Sequence, residues 1–418
     1  MRRIFWLALG LGLVSMVGTA QNRAPKTFDI YFIDVEGGHS TLYVSPSGET
    51  LLEDTGSPGM RDPDRIMEVL NAAGVKQIDH LIVTHYHSDH VGGLEELAKR
   101  IPIKQFIDHG ATIEPREQVA GFQKMYADLY AKAQHTVVKP GDKIPFAGVD
   151  ATVVTSATQV IKTPLPGGGI PNPACADFKP RDESRVDPEN PLSVGVVYTF
   201  GKFRTINLGD FTWNIEQTLM CPTNPIGHVD LYITSHHGID QSGSAALVHG
   251  LQPRVAVMHN SLGKGGAIQT MNVLHTSPGL EDIWQLHWAN AAGLEQNSPG
   301  LYIANIEDPA NVAAIITRVP GGGRQGAGPG PGMAPGGPPP AVTAATPLPA
   351  GVPGAPVAAG APATPGAPPP GGRGGGFGGG RGGHTGPAFW IKVSAQADGS
   401  FTVTNTRNNF SKTYDARK

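Results

Sequence analysis

The chain has 418 residues and 39% hydrophobic content, enough for one large domain or two ordinary ones with a real core. Its 56 glycines and 38 prolines are too many for a single packed globule, so part of the chain must be something else. A formal net charge of −3 excludes the basic excess expected of a protein that grips nucleic acid or an anionic membrane surface.

Arg2 and Arg3 precede an apolar run from Ile4 to about Val17, and Gly18-Thr19-Ala20 offers small residues for cleavage before Gln21. The run falls short of the roughly 20 apolar residues that span a bilayer, so residues 1–20 read as a secretory signal and the protein as secreted or periplasmic. Removing Arg2 and Arg3 moves the net charge from −3 to −5. Export permits disulfides, but Cys175 and Cys221 are the only cysteines; they could pair or stay free, and neither sits in a CxxC pattern.

Residues 21–320 read as one domain of alternating strands, turns and helices. Strands are expected at Phe28–Val35, Ser40–Val44 and Thr50–Glu53, and a helix from Asp62 to about Ala73, with Pro63 at its start and Gly74 as its stop. A buried strand at His80–Val83 precedes a loop and a helix at Leu94–Ala98. Later strands are expected at Thr152–Val154, Val194–Phe200, Arg204–Leu208, Leu231–Thr234 and Arg254–Met258. Ser277 to Trp288 reads as a helix whose Trp284 and Trp288, four apart, share a core-facing side.

Residues 321–387 are almost entirely Gly, Pro and Ala and cannot bury enough apolar surface to offset ordering entropy, so they read as a disordered insertion. Arg373 and Arg381 sit in RGG-like pieces, but so few arginines favour a plain linker over a nucleic-acid contact. Residues 388–418 read as a β-hairpin around Asp398-Gly399 that returns to the main domain.

The densest chemistry lies in His85-Tyr86-His87-Ser88-Asp89-His90, between an apolar strand and a helix. Three imidazoles and a carboxylate within six residues suit a borderline cation such as zinc. His85 and His87 are two apart in extended chain, point the same way, and can chelate one ion; Asp89 and His90 face a second. With Gly92-Gly93 behind it, this HxHxDH run resembles the signature of the metallo-β-lactamase superfamily, over roughly residues 28–310.

The resemblance implies an α/β fold, a four-layer αββα sandwich with metals at the strand ends. It implies that Asp210, in Leu208-Gly209-Asp210, bridges two ions, and that Ser235-His236-His237-Gly238 carries the last ligand motif, His236 serving the second ion and His237 contacting substrate, or the two exchanged. Beyond the family core, His259 follows the strand Arg254–Met258 and is placed to line a substrate cleft. Asp34-Val35-Glu36-Gly37-Gly38-His39-Ser40 and Glu53-Asp54-Thr55-Gly56 are similar to motifs of the ComEC-like branch, with His39 in place of the usual aspartate. Asp34 and Asp54 are expected to support the metal loop by hydrogen bonds. The third histidine that usually serves the first ion is missing near Asn190-Pro191-Leu192-Ser193, leaving His85, His87, Asp210 and waters; His109 and His287 are further candidates for the vicinity.

These features imply a hydrolase with two zinc ions, manganese or iron being open alternatives, that activates water beside Asp89. Phosphodiesters or related phosphorylated compounds are the expected substrates, and the negative charge argues against tight nucleic-acid binding. The alternatives are a β-lactamase or lactonase, and a binding protein on a degenerate scaffold. Gly263–Gly266 around Lys264 does not form a phosphate loop, because GxxxxGK[ST] is absent.

Overall fold

The computed structural model describes residues 26–184, 186–306 and 387–417. The expected signal at 1–20, and the Gly/Pro/Ala-rich stretch other than Pro387, lie outside the described residues. Among the described residues no helix is long and apolar enough to cross a membrane.

The chain opens with an antiparallel meander, β1 (Phe28–Phe32), β2 (Thr41–Val44) and β3 (Thr50–Glu53). Helix α1 (Arg61–Ala72) follows, with Asp62 and Asp64 at its positive end and Ile66, Val69 and Leu70 buried on one face. Then β4 (Ile78–Ile82), β5 (Ile103–Asp108) and β6 (Gln134–Val137) add to β3 in parallel. Their crossovers carry the short α2 (Ser88–Val91) and α3 (Leu94–Ala98) and the longer α4 (Glu117–Tyr130).

A second sheet begins with β7 (Lys143–Ile144), β8 (Asp150–Ser156) and β9 (Gln159–Val160). A small ribbon pairs β10 (Ile170–Pro171) with β13 (Thr223–Asn224), and the disulfide Cys175–Cys221 closes beside it. The main sheet continues through the antiparallel β11 (Gly195–Phe200) and β12 (Phe203–Asn207), then in parallel through β14 (Leu231–Ile233), β15 (Val255–Met258), β16 (Asp282–His287) and β17 (Ile303–Asn305). Helices α5 (Trp213–Met220), α6 (Ala245–Leu251), α7 (Ile268–His275) and α8 (Gly293–Gln296) lie between these strands in the chain.

Three apolar clusters make this a four-layer αββα sandwich. One fills the space between the sheets, with Phe28, Phe32 and Tyr43 from the first meeting Val196, Tyr198 and Phe203 from the second. Another joins the outer face of the first sheet to Ile66, Leu70, Leu97 and Tyr126 of the helices. The last joins the outer face of the second sheet to Leu219, Leu247 and Leu274. Each fully buried side chain of this size contributes about 1.5–3 kcal/mol.

One sequence expectation changes and another is extended. The segment expected to be helical at 277–288 contains β16 instead, in parallel register with β15. Alternation decides it: Trp284 and Leu286 enter the inter-sheet core, while Ile283 joins the outer cluster. At the C-terminal end the expected hairpin forms, β18 (Ile391–Ala395) pairing antiparallel with β19 (Phe401–Asn405) around Asp398-Gly399, and a further strand, β20 (Phe410–Tyr414), joins it. β18 pairs antiparallel with β1, which extends the first sheet to nine strands. The Asn305 side chain meets the Phe389 backbone through both its amide donor and its carbonyl, each at 2.9 Å.

Candidate metal centre

Asp54 follows β3, His85 to His90 follow β4, Asp210 follows β12, and His236 and His237 follow β14. β3 and β4 are parallel neighbours, as are β12 and β14, so the loops after them emerge side by side at one rim. Facing the sheets then brings the two sets of loops together. This is the edge at which open α/β sheets collect ligands.

The local backbone aims each side chain. His87 is extended, with φ −72° and ψ 152°, so the histidines two apart converge: His85 Nε2 lies 3.0 Å from His87 Nδ1. Asp89 and His90 sit on the first turn of α2. Gly209 takes φ +55°, turning the chain so that Asp210 faces inward, and a hydrogen bond from the His236 amide to the Gly209 carbonyl (3.0 Å) ties that turn to the next loop. His236 and His237 both adopt left-handed backbone, φ 50° and 57°, a strained conformation of the kind that gathers at functional sites.

Asp210 Oδ2 is the hub. It lies 3.3 Å from Nε2 of His90, 3.3 Å from Nε2 of His236, 3.4 Å from Nε2 of His237 and 3.8 Å from Nε2 of His85. Asp89 Oδ2 is 3.8 Å from His90 Nε2 and 3.4 Å from His237 Nε2, and also ion-pairs with the Lys264 ammonium. His90 Nε2 and His237 Nε2 are 3.2 Å apart. The sequence reading set His236 beside Asp89 and His90 and left His237 to substrate. In the structure His237 faces that pair, and both His236 and His237 meet Asp210.

The outward nitrogens are spoken for. His90 Nδ1 is 2.7 Å from Asp54 Oδ2, His237 Nδ1 donates to the His259 carbonyl at 3.2 Å, His87 Nε2 is 3.0 Å from Glu114 Oε2, and His236 Nδ1 is 3.2 Å from Ser242 Oγ. A proton held on each outward nitrogen leaves the inward nitrogen with a lone pair, the state a metal requires. His85, His90 and Asp210, and likewise Asp89, His90 and His237, present donors close enough to share an ion. The residues therefore fit a divalent cation with N and O ligands.

Electrostatics agree with such a site. Burial would lower the His90 pKa, but the carboxylates of Asp210, Asp54 and Asp89 hold it well above the usual histidine value. Asp210 and Asp89 are held well below the carboxylate range: burial opposes this, and is outweighed by the surrounding histidines and, for Asp89, by Lys264. His236 is pushed down to about 3, chiefly by burial.

Other expected residues divide. Asp54, in left-handed backbone with φ 57°, accepts hydrogen bonds from the Thr84 amide (2.8 Å) and hydroxyl (2.7 Å) as well as contacting His90, so it supports the metal loop. Asp34 does not reach that loop; it binds His287 (2.6 Å) and Arg65 (2.9 Å) and fixes the turn at Glu36. His287 is thereby a structural partner. His109 is buried against Glu189 (2.9 Å). His259, expected to line a substrate cleft, is 1% exposed, and its ring turns between the sheets to Thr41 (2.9 Å); only its carbonyl serves the centre.

Sequence reasoning missed Glu114, Glu189 and Lys264. Glu189 accepts from the Tyr86 amide (3.0 Å) and binds His109 and Thr112, locking the loop that carries His85 and His87.

Residues 33–172 match a family model described as the metallo-beta-lactamase superfamily. Over 72 residues the chain is 29% identical to a beta-lactamase-like protein 2 homolog of Caenorhabditis elegans, covering 16% of this chain and 24% of that protein. Over 63 residues it is 43% identical to a metal-dependent hydrolase of Geobacillus thermodenitrificans, covering 15% and 25%. The chain thus spans about a quarter of the length of the curated relatives it matches. A solved metal-dependent hydrolase of the beta-lactamase superfamily aligns with a TM-score of 0.38 at 14% identity, over 62% of this chain and 95% of that one. The family match takes in the HxHxDH run, and the four-layer sandwich surrounds it; over residues 33–172 the chain is similar to the metallo-beta-lactamase superfamily.

Proposed function

We propose that this protein is an exported metal-dependent hydrolase acting on phosphodiesters or related phosphorylated compounds, with two zinc ions as its metals. The observation that carries the reading is the convergence of four imidazole nitrogens on one oxygen of Asp210, with Asp89 beside them. We assign His85, His87 and Asp210 to one ion, and Asp89, His90, Asp210 and His237 to the other. Divalent ions held there supply Lewis-acid polarisation and bring the ionisation of water near neutral pH.

The chain's own residues supply order. Asp54, Glu114 and the His259 carbonyl hold the outward ring nitrogens, so the inward ones face the cluster and would give up any proton they carry when a cation binds. Asp89, 25% exposed, is the acidic ligand open to an incoming substrate, whereas Asp210 is nearly closed off. The ComEC-like motifs favour phosphodiesters over lactams and lactones. The Cys175–Cys221 disulfide and the apolar start of the chain support export.

The test is a metal-reconstituted screen with bis-p-nitrophenyl phosphate, nitrocefin and a lactone in parallel, on wild type and on the His87→Ala/Asp89→Ala double variant. Phosphodiester turnover that disappears in the variant, together with metal content, is the expected outcome. Undiminished turnover in the variant would sink the metal-dependent reading, and turnover of nitrocefin or lactone alone would sink the phosphodiester assignment.

A further inference from the structure

The loop after β15 runs Ser261-Leu262-Gly263-Lys264-Gly265-Gly266 and closes on itself. The Ser261 amide donates to the Lys264 carbonyl (2.9 Å), and the Lys264 amide donates to Ser261 Oγ (3.1 Å). It is also pinned from outside, by the Asn290 amide on the Leu262 carbonyl and by the Ala267 amide on the Gly238 carbonyl, both at 3.0 Å. Gly265 takes φ +92° and passes so near His237 that a β-carbon would stand 2.1 Å from the His237 carbonyl oxygen. The loop is therefore built against the metal-binding turn. Its one long side chain reaches the centre.

Among the described residues two cations approach the cluster, and they differ. Arg116, at the His87 end, is engaged by the carboxylates of both Glu114 and Asp187. Lys264, at the other end, is paired with Asp89, a residue we assign to a metal ion. Were Asp89 to hold a divalent ion, its carboxylate would be shared with that ion and the Lys264 ammonium would lose its counter-charge. Like charges brought close in a partly dehydrated site repel strongly. An anionic oxygen placed between them removes the repulsion; a neutral carbonyl does not. The Lys264 side chain is 37% exposed, so a ligand can reach it.

We propose that Lys264 binds the anionic phosphoryl oxygen of the substrate, which makes a phosphate ester or diester the substrate class of this centre. The inference rests on the metal-dependent reading above. Lys264 is then the residue that separates charged from neutral substrates at the Asp89 side of the site, while metal retention belongs to the histidines and aspartates.

The experiment is calorimetric titration of inorganic phosphate into the metal-loaded full chain, for wild type, Lys264→Gln and Lys264→Arg, with metal content measured on each. The expected result is phosphate affinity at least about tenfold weaker in Lys264→Gln, within about threefold of wild type in Lys264→Arg, and unchanged metal content in both. Equal phosphate affinity in Lys264→Gln overturns the proposal, as does absence of phosphate binding in wild type. Loss of metal from Lys264→Gln overturns it too, because Lys264 would then serve Asp89 rather than the ligand. A wild type that turns over none of the esters, yet binds phosphate in a Lys264-dependent way, would remove the hydrolase reading and support this one.

Discussion

Glu114 holds the outer nitrogen of His87 at 3.0 Å while the inner one faces His85 at 3.0 Å. Such a carboxylate fixes the tautomer and the ring orientation, and its removal typically lowers metal affinity 10–100-fold. Glu114→Gln is therefore expected to weaken metal binding about tenfold or more, read as metal retained after dialysis against a graded chelator. Retention equal to wild type would show that His87 is oriented without it. Glu53 poses a different question. Burial pushes its carboxyl up to about 7, despite hydrogen bonds from Tyr43, Tyr198 and Asn207. A raised carboxyl contributes stability that is complete below about pH 4.5 and lost as pH rises through about 7. Urea unfolding of wild type and Glu53→Gln between pH 5 and 8 should show wild type losing ground to the variant as pH rises; a constant difference would refute it. At this scale the sequence revealed what is local. His85, His87, Asp89 and His90 announce themselves within six residues, but the partners of Glu114, Glu189 and Lys264 lie 27, 103 and 175 positions away, and no spacing rule reaches that far. The choice between His236 and His237 escaped for another reason: it depends on two left-handed residues in a row, which adjacent histidines do not signal.

Elements were legible where apolar runs ended in turn residues, as for β1 to β4 and α1. They failed where two periods fit one segment. Trp284 and Trp288 are four apart, which suits a helix, but Trp284 and Leu286 alternate into the core, and parallel pairing with β15 resolves the conflict in favour of a strand. Trp284 stands against Tyr302 with ring centroids 4.7 Å apart and donates to the Tyr414 hydroxyl at 3.0 Å, so it ties the second sheet to the C-terminal strands. Trp284→Ala should cost about 3–5 kcal/mol, measured by denaturant unfolding; a loss under about 1 kcal/mol would mean that the C-terminal strands are held elsewhere. Composition left the state of the two cysteines open, because pairing depends on α5 ending beside a loop 46 residues earlier in the chain. Replacing both by serine should lower stability by about 2–4 kcal/mol without changing metal content, since neither sulfur approaches the ligand cluster among the contacts described.

The sandwich as a whole was readable from the family signature, but its width was not. Three strands after residue 390 extend the first sheet along β1 and contribute Val393, Phe401, Val403 and Tyr414 to the core between the sheets. They cover an edge that would otherwise present unpaired backbone to other chains. The two sides of the segment between 306 and 387 meet at the double hydrogen bond of Asn305 and Phe389. The rim that carries the ligand cluster is formed by the loops after β3, β4, β12 and β14, and this junction is not among them. Because loop closure grows only with the logarithm of length, replacing that long segment by about eight residues should stabilise the fold by about 2 kcal/mol and leave metal binding intact. Seen from the standpoint of protein engineering, the Asn305–Phe389 clasp is a docking port: a reporter domain whose own termini lie close together can be spliced there and carried as a passenger, leaving the metal centre free to report on its ligand.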